Sequence, residues 1–376
     1  MPERALRLEW PIAIVLLGAA LRLVVLVVSV AHQAGYGDIQ RDFAIVSGGI
    51  PYRDQSVEYP PVTVGVLELI HAIAHSRHAF GVTVVLALGA IEAGLCVLMW
   101  RAFGRVVGLA FIVLDTPLYY LAVTRVDVLS VALAALALAL ILGRRPVSAG
   151  AAWAVAVGAK LWPLPLGLLA VAVPGRSRWR ALAGAAATGA VIAVGWLAVD
   201  GIDGVRQVLT LRGAQGWQIE SLVGSVIHVV GAGPDFFQAG SERIGRVPTG
   251  LGVALIGLGG LAAAAVCIEA GRRRLFGTGW VTAVMFLLAT SILLSPQFML
   301  WAVPGAALAV REKRPALAVA FAAVLSLTLL ETRAFTAIIR GDALGQALLL
   351  TRNAAIVATL LIGLRSLAQG PRANTA

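Results

Sequence analysis

Charge is scarce in this 376-residue chain: only 13% of its residues are charged against 59% hydrophobic, and the mean hydropathy is +0.89. That balance excludes a soluble globular domain, and many of the apolar runs are long enough to cross a bilayer. Cysteine is almost missing. The two present, Cys96 and Cys267, both lie inside apolar runs, so neither a disulfide framework nor a metal-ligand spacing is visible. Acidic residues are rarer than basic ones, 19 against 30, which leaves a net charge of +11. Such an excess can signal nucleic acid, but here the cations form short clusters between apolar runs instead of lining one face. Cytoplasmic turns of a membrane protein explain that distribution, and no nucleic-acid partner is expected.

Placing the basic clusters inside sets an expected topology. They are Arg4/Arg7, Arg101/Arg105, Arg144/Arg145, Arg176/Arg178/Arg180, Arg272/Arg273/Arg274, Arg311/Lys313/Arg314 and Arg365/Arg372. The first apolar run, Pro11 to Ala31, is expected to be a retained span, because it is long and lacks a convincing cleavage site. Further crossings are expected over 79–100, 106–123, 127–142, 147–159, 161–174, 181–199, 249–270, 280–294, 297–310, 316–330 and 343–364. The chain thus reads as one all-α integral membrane domain, residues 1–376, with about twelve transmembrane helices and both termini cytoplasmic. Residues 32–78 and 200–248 become long external loops, and 331–342 the last external one. Within the first, Pro61 to His78 has too short an apolar part to span. Glu68, His71, His75 and His78 share one helical face and Val62, Val66, Leu69 and Ile73 another, as in a helix lying in the interface. The histidines suit either a wet face or, less simply, a metal ion. Lys160-Leu161-Trp162-Pro163 marks a reversal between two short helices, where Lys160 either meets an anion or snorkels to the boundary.

The chemistry collects outside. Residues 32–61 place Asp38, Asp42, Asp54 and Glu58 beside Tyr36, Tyr52 and Tyr59, between two lipid-like segments. A carboxylate there can act as a general base and the tyrosines can face a sugar; the other reading is a solvated loop built on its glycines and Pro51. External cations have acidic or aromatic neighbours: Arg125 with Asp127, Lys160 with Trp162, Arg212 with Trp217, Arg333 with Glu331. Asp127 also suits a plain helix cap. Ionisable residues inside the spans are few, namely Arg22, Glu92 and Asp115, fewer than an ion-coupled transporter needs.

An acidic residue early in the first loop, then Gly49-Ile50-Pro51-Tyr52, then Glu58-Tyr59-Pro60-Pro61, resembles glycosyltransferase family 87, the polyprenol-phosphate-mannose-dependent mannosyltransferases of the GT-C superfamily. Lys160-Leu161-Trp162-Pro163 is similar to the family's Lys-x-x-Pro reversal, and Ser295-Pro296-Gln297 with Trp301 and Pro304 resembles its late external turn. One stretch departs: Thr124-Arg125-Val126-Asp127 stands where many members carry a Gly-Gln-x-Asn-like turn. The resemblance implies a GT-C fold with its site on the extracytoplasmic face and a first-loop aspartate as base, best matched by Asp38 and next by Asp42; high Ala, Gly and Arg usage separately suggests a bacterium and hence its plasma membrane. It implies inversion, a polyprenyl-phosphate sugar donor and a glycolipid or glycan acceptor; the apolar runs make membrane lipids further partners, and cations of the chain beside a phosphate leaving group make no cofactor or metal expected. Expected substrate contacts are Asp42, Tyr52, Glu58, Tyr59, Arg125, Asp127, Lys160, Arg212, Trp217 and Gln297. Competing expectations are an arabinofuranosyl or other carrier-linked sugar, a lipid-linked saccharide flippase, and a non-catalytic scaffold.

Overall fold

A computed structural model describes residues 2–172, 177–210 and 215–370. Seven helices among the described residues are long and apolar enough to cross a bilayer: Trp10–Ala31, Arg77–Phe103, Arg105–Thr124, Ser177–Leu209, Gly250–Arg273, Pro315–Ile339 and Ala343–Ala368. They mark a multi-pass, predominantly α-helical membrane protein. Four other apolar helices, Pro61–Ile73, Asp127–Leu142, Pro146–Ala159 and Phe276–Ala289, are shorter, so twelve full-length crossings are not what the helix lengths give.

Packing divides the chain into two compact units, the first formed by Met1–Pro163 with Trp179–Leu209, the second by Leu164–Arg178 with Thr210–Ala376. In the first unit, α1 (Pro2–Ala31) lies against α4 (Arg77–Phe103), α5 (Arg105–Asp115) and α6 (Tyr119–Thr124). Most of α1 projects outward, as Leu16, Leu17, Leu23 and Val24 do, so few contacts fix it. A charged clasp supplies the fixing. Arg22 donates to Glu92 Oε1 at 3.2 Å, to Asp115 Oδ2 at 3.1 Å and to Thr116 Oγ1 at 3.3 Å, with the Tyr119 ring 5.0 Å away. All three ionisable residues foreseen inside the spans are therefore engaged with one another.

The segment after α1 is not the plain loop expected. It holds a helix, α2 (Gly37–Ser47), which packs on α3 (Pro61–Ile73) and α4. Helix α3 has 13 residues and is about 20 Å long, too short to cross. The side packed against protein is Thr63, Val64, Leu67 and Ile70, while Leu69 and Ile73, from the apolar face expected to lie in the interface, are 66% and 72% exposed. Two short helices follow, α7 (Asp127–Leu142) and α8 (Pro146–Ala159), packed together. Helix α10 (Ser177–Leu209) crosses α8 closely: a Cβ at Gly150 would lie 1.9 Å from the Ala181 carbonyl oxygen and one at Gly184 2.2 Å from that of Val147. The crossing expected over 161–174 is absent from the described part, where turns lead to α9 (Gly167–Val171), five residues long. Pro163 and Pro165 deny that stretch a continuous ladder.

The second unit contains α9, α11 (Leu222–Val229), α12 (Thr249–Arg273), α13 (Phe276–Ala289), α14 (Val303–Arg311), α15 (Pro315–Ile339) and α16 (Ala343–Ala368). Residues 297–310, expected as one span, divide into a 3₁₀ segment Pro296–Ala302 and the nine-residue α14. Glu312 accepts from Gly277 N, Thr278 N and Thr278 Oγ1 at 2.6–2.9 Å and so satisfies the first turn of α13. A small antiparallel sheet, unforeseen, has strand order β1-β3-β2, from Trp217–Gln218, Ser241–Ile244 and Asp235–Gln238. Ala239 and Gly240, with φ of 53° and 76°, close the β2–β3 hairpin as a primed turn requires.

The last external loop foreseen over 331–342 is mostly helix, since α15 continues to Ile339. Glu331 pairs with Arg352 of α16 at 2.6 Å instead of with Arg333, and neither member of the pair is exposed. Arg352 also donates to the Glu220 carbonyl at 3.0 Å, and Asn353 to Ser225 Oγ at 2.8 Å, which ties α11 to α16. Removing one partner leaves an uncompensated buried charge. Arg352→Met should lower stability by roughly 3–5 kcal/mol, and the double change Glu331→Leu/Arg352→Met should recover most of it. Thermal unfolding of the detergent-solubilised protein measures both, and equal losses in the single and double variants would contradict the pairing.

Candidate active site

Helix α2 carries Asp38, Arg41 and Asp42, spaced i, i+3 and i+4, so that one face presents two carboxylates around a guanidinium. Arg41 was missed in the sequence, although that spacing was its signal. It lies 3.3 Å from Asp38 Oδ1, 2.9 Å from Glu58 Oε1 and 4.0 Å from Asp42 Oδ1, and it also donates to the Tyr59 hydroxyl. Burial alone would lower this guanidinium, but Tyr59, Glu58 and Asp42 outweigh it and hold it above its ordinary value. Arg41 is therefore the fixed cation of the cluster.

The Glu58-Tyr59 segment is held in place by its own backbone. Tyr52, with φ of 64° in the left-handed region, costs about 1–2 kcal/mol of local strain. Its hydroxyl donates to the Tyr59 carbonyl, and its ring sits 5.7 Å from Trp196. Gln207 of α10 accepts from Val57 N at 3.1 Å and donates to the Tyr52 carbonyl at 2.5 Å. Pro60 and Pro61 then start α3, whose Thr63 donates to the Ala159 carbonyl at 2.8 Å. That bond brings the end of α8, and with it Lys160, alongside Tyr59.

Lys160 donates to Asp127 Oδ1 at 2.6 Å and stands 5.9 Å from the Tyr59 ring. Asp127 is the first residue of α7, one position inside the helix from its N-cap Val126, and its buried carboxylate faces Lys160. Trp162, foreseen as the neighbour of Lys160, instead donates to Ser130 Oγ at 2.8 Å, and Trp153 donates to the Pro163 carbonyl at 2.8 Å, which together pin the reversal. Arg125, foreseen beside Asp127, is in extended backbone between α6 and α7 and forms its ion pair with Asp38. Asp38 and Arg125 are about one-quarter exposed, at 24% and 23% of their side chains. Four carboxylates (Asp38, Asp42, Glu58, Asp127) thus meet three cations (Arg41, Arg125, Lys160) within the first unit.

The remaining expected contacts lie in the second unit or beyond description. Trp217 is buried in an apolar cluster with Ile219, Ile244, Ile338 and Leu349. Gln297 Oε1 accepts from Ser295 Oγ at 2.6 Å. Arg212 lies outside the described residues, as do Arg176 and Arg372. His78 Nδ1 is 2.8 Å from Gln33 Nε2, and among the described residues no group of three potential ligands is placed to hold a metal.

Asp42 is fully buried, and burial pushes its carboxyl up to about 7, with Glu58 adding to the rise while Arg41 and Tyr59 oppose it. The unfolded chain ionises Asp42 near 3.8, so the folded protein holds an extra proton between those values. The stability this confers is complete below about pH 4 and is lost as pH rises through about 7. Melting temperature should therefore fall between about pH 5 and pH 8 more steeply in the wild type than in Asp42→Asn. Parallel curves would show Asp42 ionised throughout.

Residues 58–296, more than half of the chain, match the sequence model of glycosyltransferase family 87. A search of curated proteins gives no match.

Proposed function

The chain belongs to glycosyltransferase family 87, and from that premise we propose that it transfers a sugar, mannose first among the candidates, from a polyprenyl-phosphate carrier to a lipid or glycan hydroxyl. The observation that carries this reading is the partly exposed Asp38 carboxylate held beside Arg125 and Arg41, with Lys160 in the same cluster. Of the two candidate bases, Asp42 is only 2% exposed and Asp38 is within reach of an acceptor. The acceptor hydroxyl gives its proton to a carboxylate oxygen of Asp38 as its oxygen attacks the anomeric carbon. The bond from that carbon to the phosphate oxygen breaks, and its electron pair leaves with the polyprenyl phosphate. Attack opposite the leaving group inverts the anomeric centre.

Negative charge then grows on the phosphate at the bilayer edge, where Arg125 and Lys160 are already placed to meet it. With cations supplied by the chain, no metal is needed for this step. The basic clusters in the turns support an extracytoplasmic site. The flippase reading is weaker, because Arg22, Glu92 and Asp115 are engaged with one another.

Membranes containing the wild type or Asp38→Asn, given radiolabelled polyprenyl-phosphate mannose and extracted lipids, test the proposal. Label should enter a new glycolipid with the wild type and fall by at least about 10²-fold in the variant at equal protein level. Equal transfer by both would remove Asp38 as the base; donor competition with an arabinofuranosyl carrier identifies the sugar.

A further inference from the structure

The cations available to a phosphate are already engaged with carboxylates, so an anionic donor has to take one from its partner. The two pairs differ in what such an exchange would leave behind. Lys160 neutralises Asp127, whose side chain is 2% exposed, and withdrawing it would strand a buried charge. Arg125 pairs with Asp38, which is exposed enough for water to replace the lost contact and which keeps Arg41 at 3.3 Å. Arg41 itself is tied to Glu58 and Tyr59. Arg125 also sits in extended backbone at the break between two helices, on a side chain long enough to swing. Its place is where this chain departs from the usual family turn.

We propose that the donor phosphate exchanges with Asp38 for Arg125, so that the carboxylate is released as a base only when the donor is bound. While Arg125 holds Asp38 Oδ2, that oxygen is occupied by a guanidinium and closed to an acceptor hydroxyl. Once the phosphate has taken Arg125, Oδ2 can accept the proton while Arg41, on Oδ1, keeps the carboxylate in position. An acceptor hydroxyl arriving before the donor meets a neutralised carboxylate. Arg125 is in this sense a positioning residue that reports donor occupancy to the base. The exchange rests on the carrier-phosphate reading above, and its test separates the two.

Equilibrium binding of radiolabelled polyprenyl phosphate to the full chain in lipid nanodiscs would be measured for the wild type, Asp38→Asn, Arg125→Gln and the double variant, each checked for wild-type melting. Asp38→Asn removes the competitor and should tighten binding about fivefold, the scale of a partly exposed ion pair. Arg125→Gln should weaken it by a similar factor, and Arg125→Lys should retain most of the affinity. In the Arg125→Gln background, Asp38→Asn should change affinity by less than about twofold, because no exchange is left to relieve. Equal tightening in both backgrounds would reduce the effect of Asp38 to plain repulsion and overturn the exchange, as would no tightening at all. Absence of saturable binding by the folded wild type would instead overturn the carrier-phosphate reading, and the exchange with it.

Discussion

A charge held beside or within a bilayer has little water to stabilise it, so it persists only next to an opposite charge or a good hydrogen-bond partner. In a chain with so few charged residues, nearly every buried ion is accordingly committed to a specific partner. Arg22 joins Glu92 and Asp115 and fastens α1 to the first unit. Arg352 joins Glu331 and donates to the Glu220 carbonyl while Asn353 donates to that of Ser221, which holds the segment before α11 in the second. Both groups are closed, with carboxylates shielded and guanidiniums at most 12% exposed. The cluster around α2 obeys the same rule but remains open, since Asp38, Arg41 and Arg125 keep about a quarter of their side chains accessible. Convergence of several charges from separate elements, left partly open, distinguishes this cluster from the two closed braces.

That openness suits the chemistry of a lipid-linked donor. The leaving group carries negative charge, its tail belongs in the bilayer, and the acceptor hydroxyl has to be deprotonated from the wet side. The short helix α2, carrying carboxylates and a guanidinium on one face, suits the base of the proposed transfer, because its charges are paired with one another. Two cations from other elements, Arg125 before α7 and Lys160 after α8, complete the electrostatics. Both elements are short, which allows their ends to converge where full-length spans would continue past one another.

Long apolar runs made most of the helices legible: Asp127–Leu142 was foreseen to the residue and Thr249–Arg273 to within three. Local rules failed where pairing over distance decides. Glu331 looked like a loop residue because it is charged, yet a partner 21 positions away allows it inside a helix. Asp38 and Arg125 were each singled out, but their contact joins positions 87 apart in the chain, and no pattern in either neighbourhood announces it. Arg125 was matched to Asp127 by proximity in sequence, while the geometry gives Asp127 to Lys160. Helix α2 escaped notice because glycines flank it and polar residues fill it, although the i, i+3, i+4 series of Asp38, Arg41 and Asp42 was present to be read. Family motifs reach further than propensity, since they single out Glu58-Tyr59-Pro60-Pro61 and Lys160, whose Nζ stands 5.9 Å from the Tyr59 ring.

The most direct measurement is a structure of the full chain with a polyprenyl-phosphate sugar bound in a lipid environment. A donor whose phosphate oxygens lie within about 4 Å of Arg125 or Lys160, with the anomeric carbon facing Asp38, is the predicted result. A donor phosphate held by groups remote from α2, with the Asp38 to Arg125 pair intact, would contradict it.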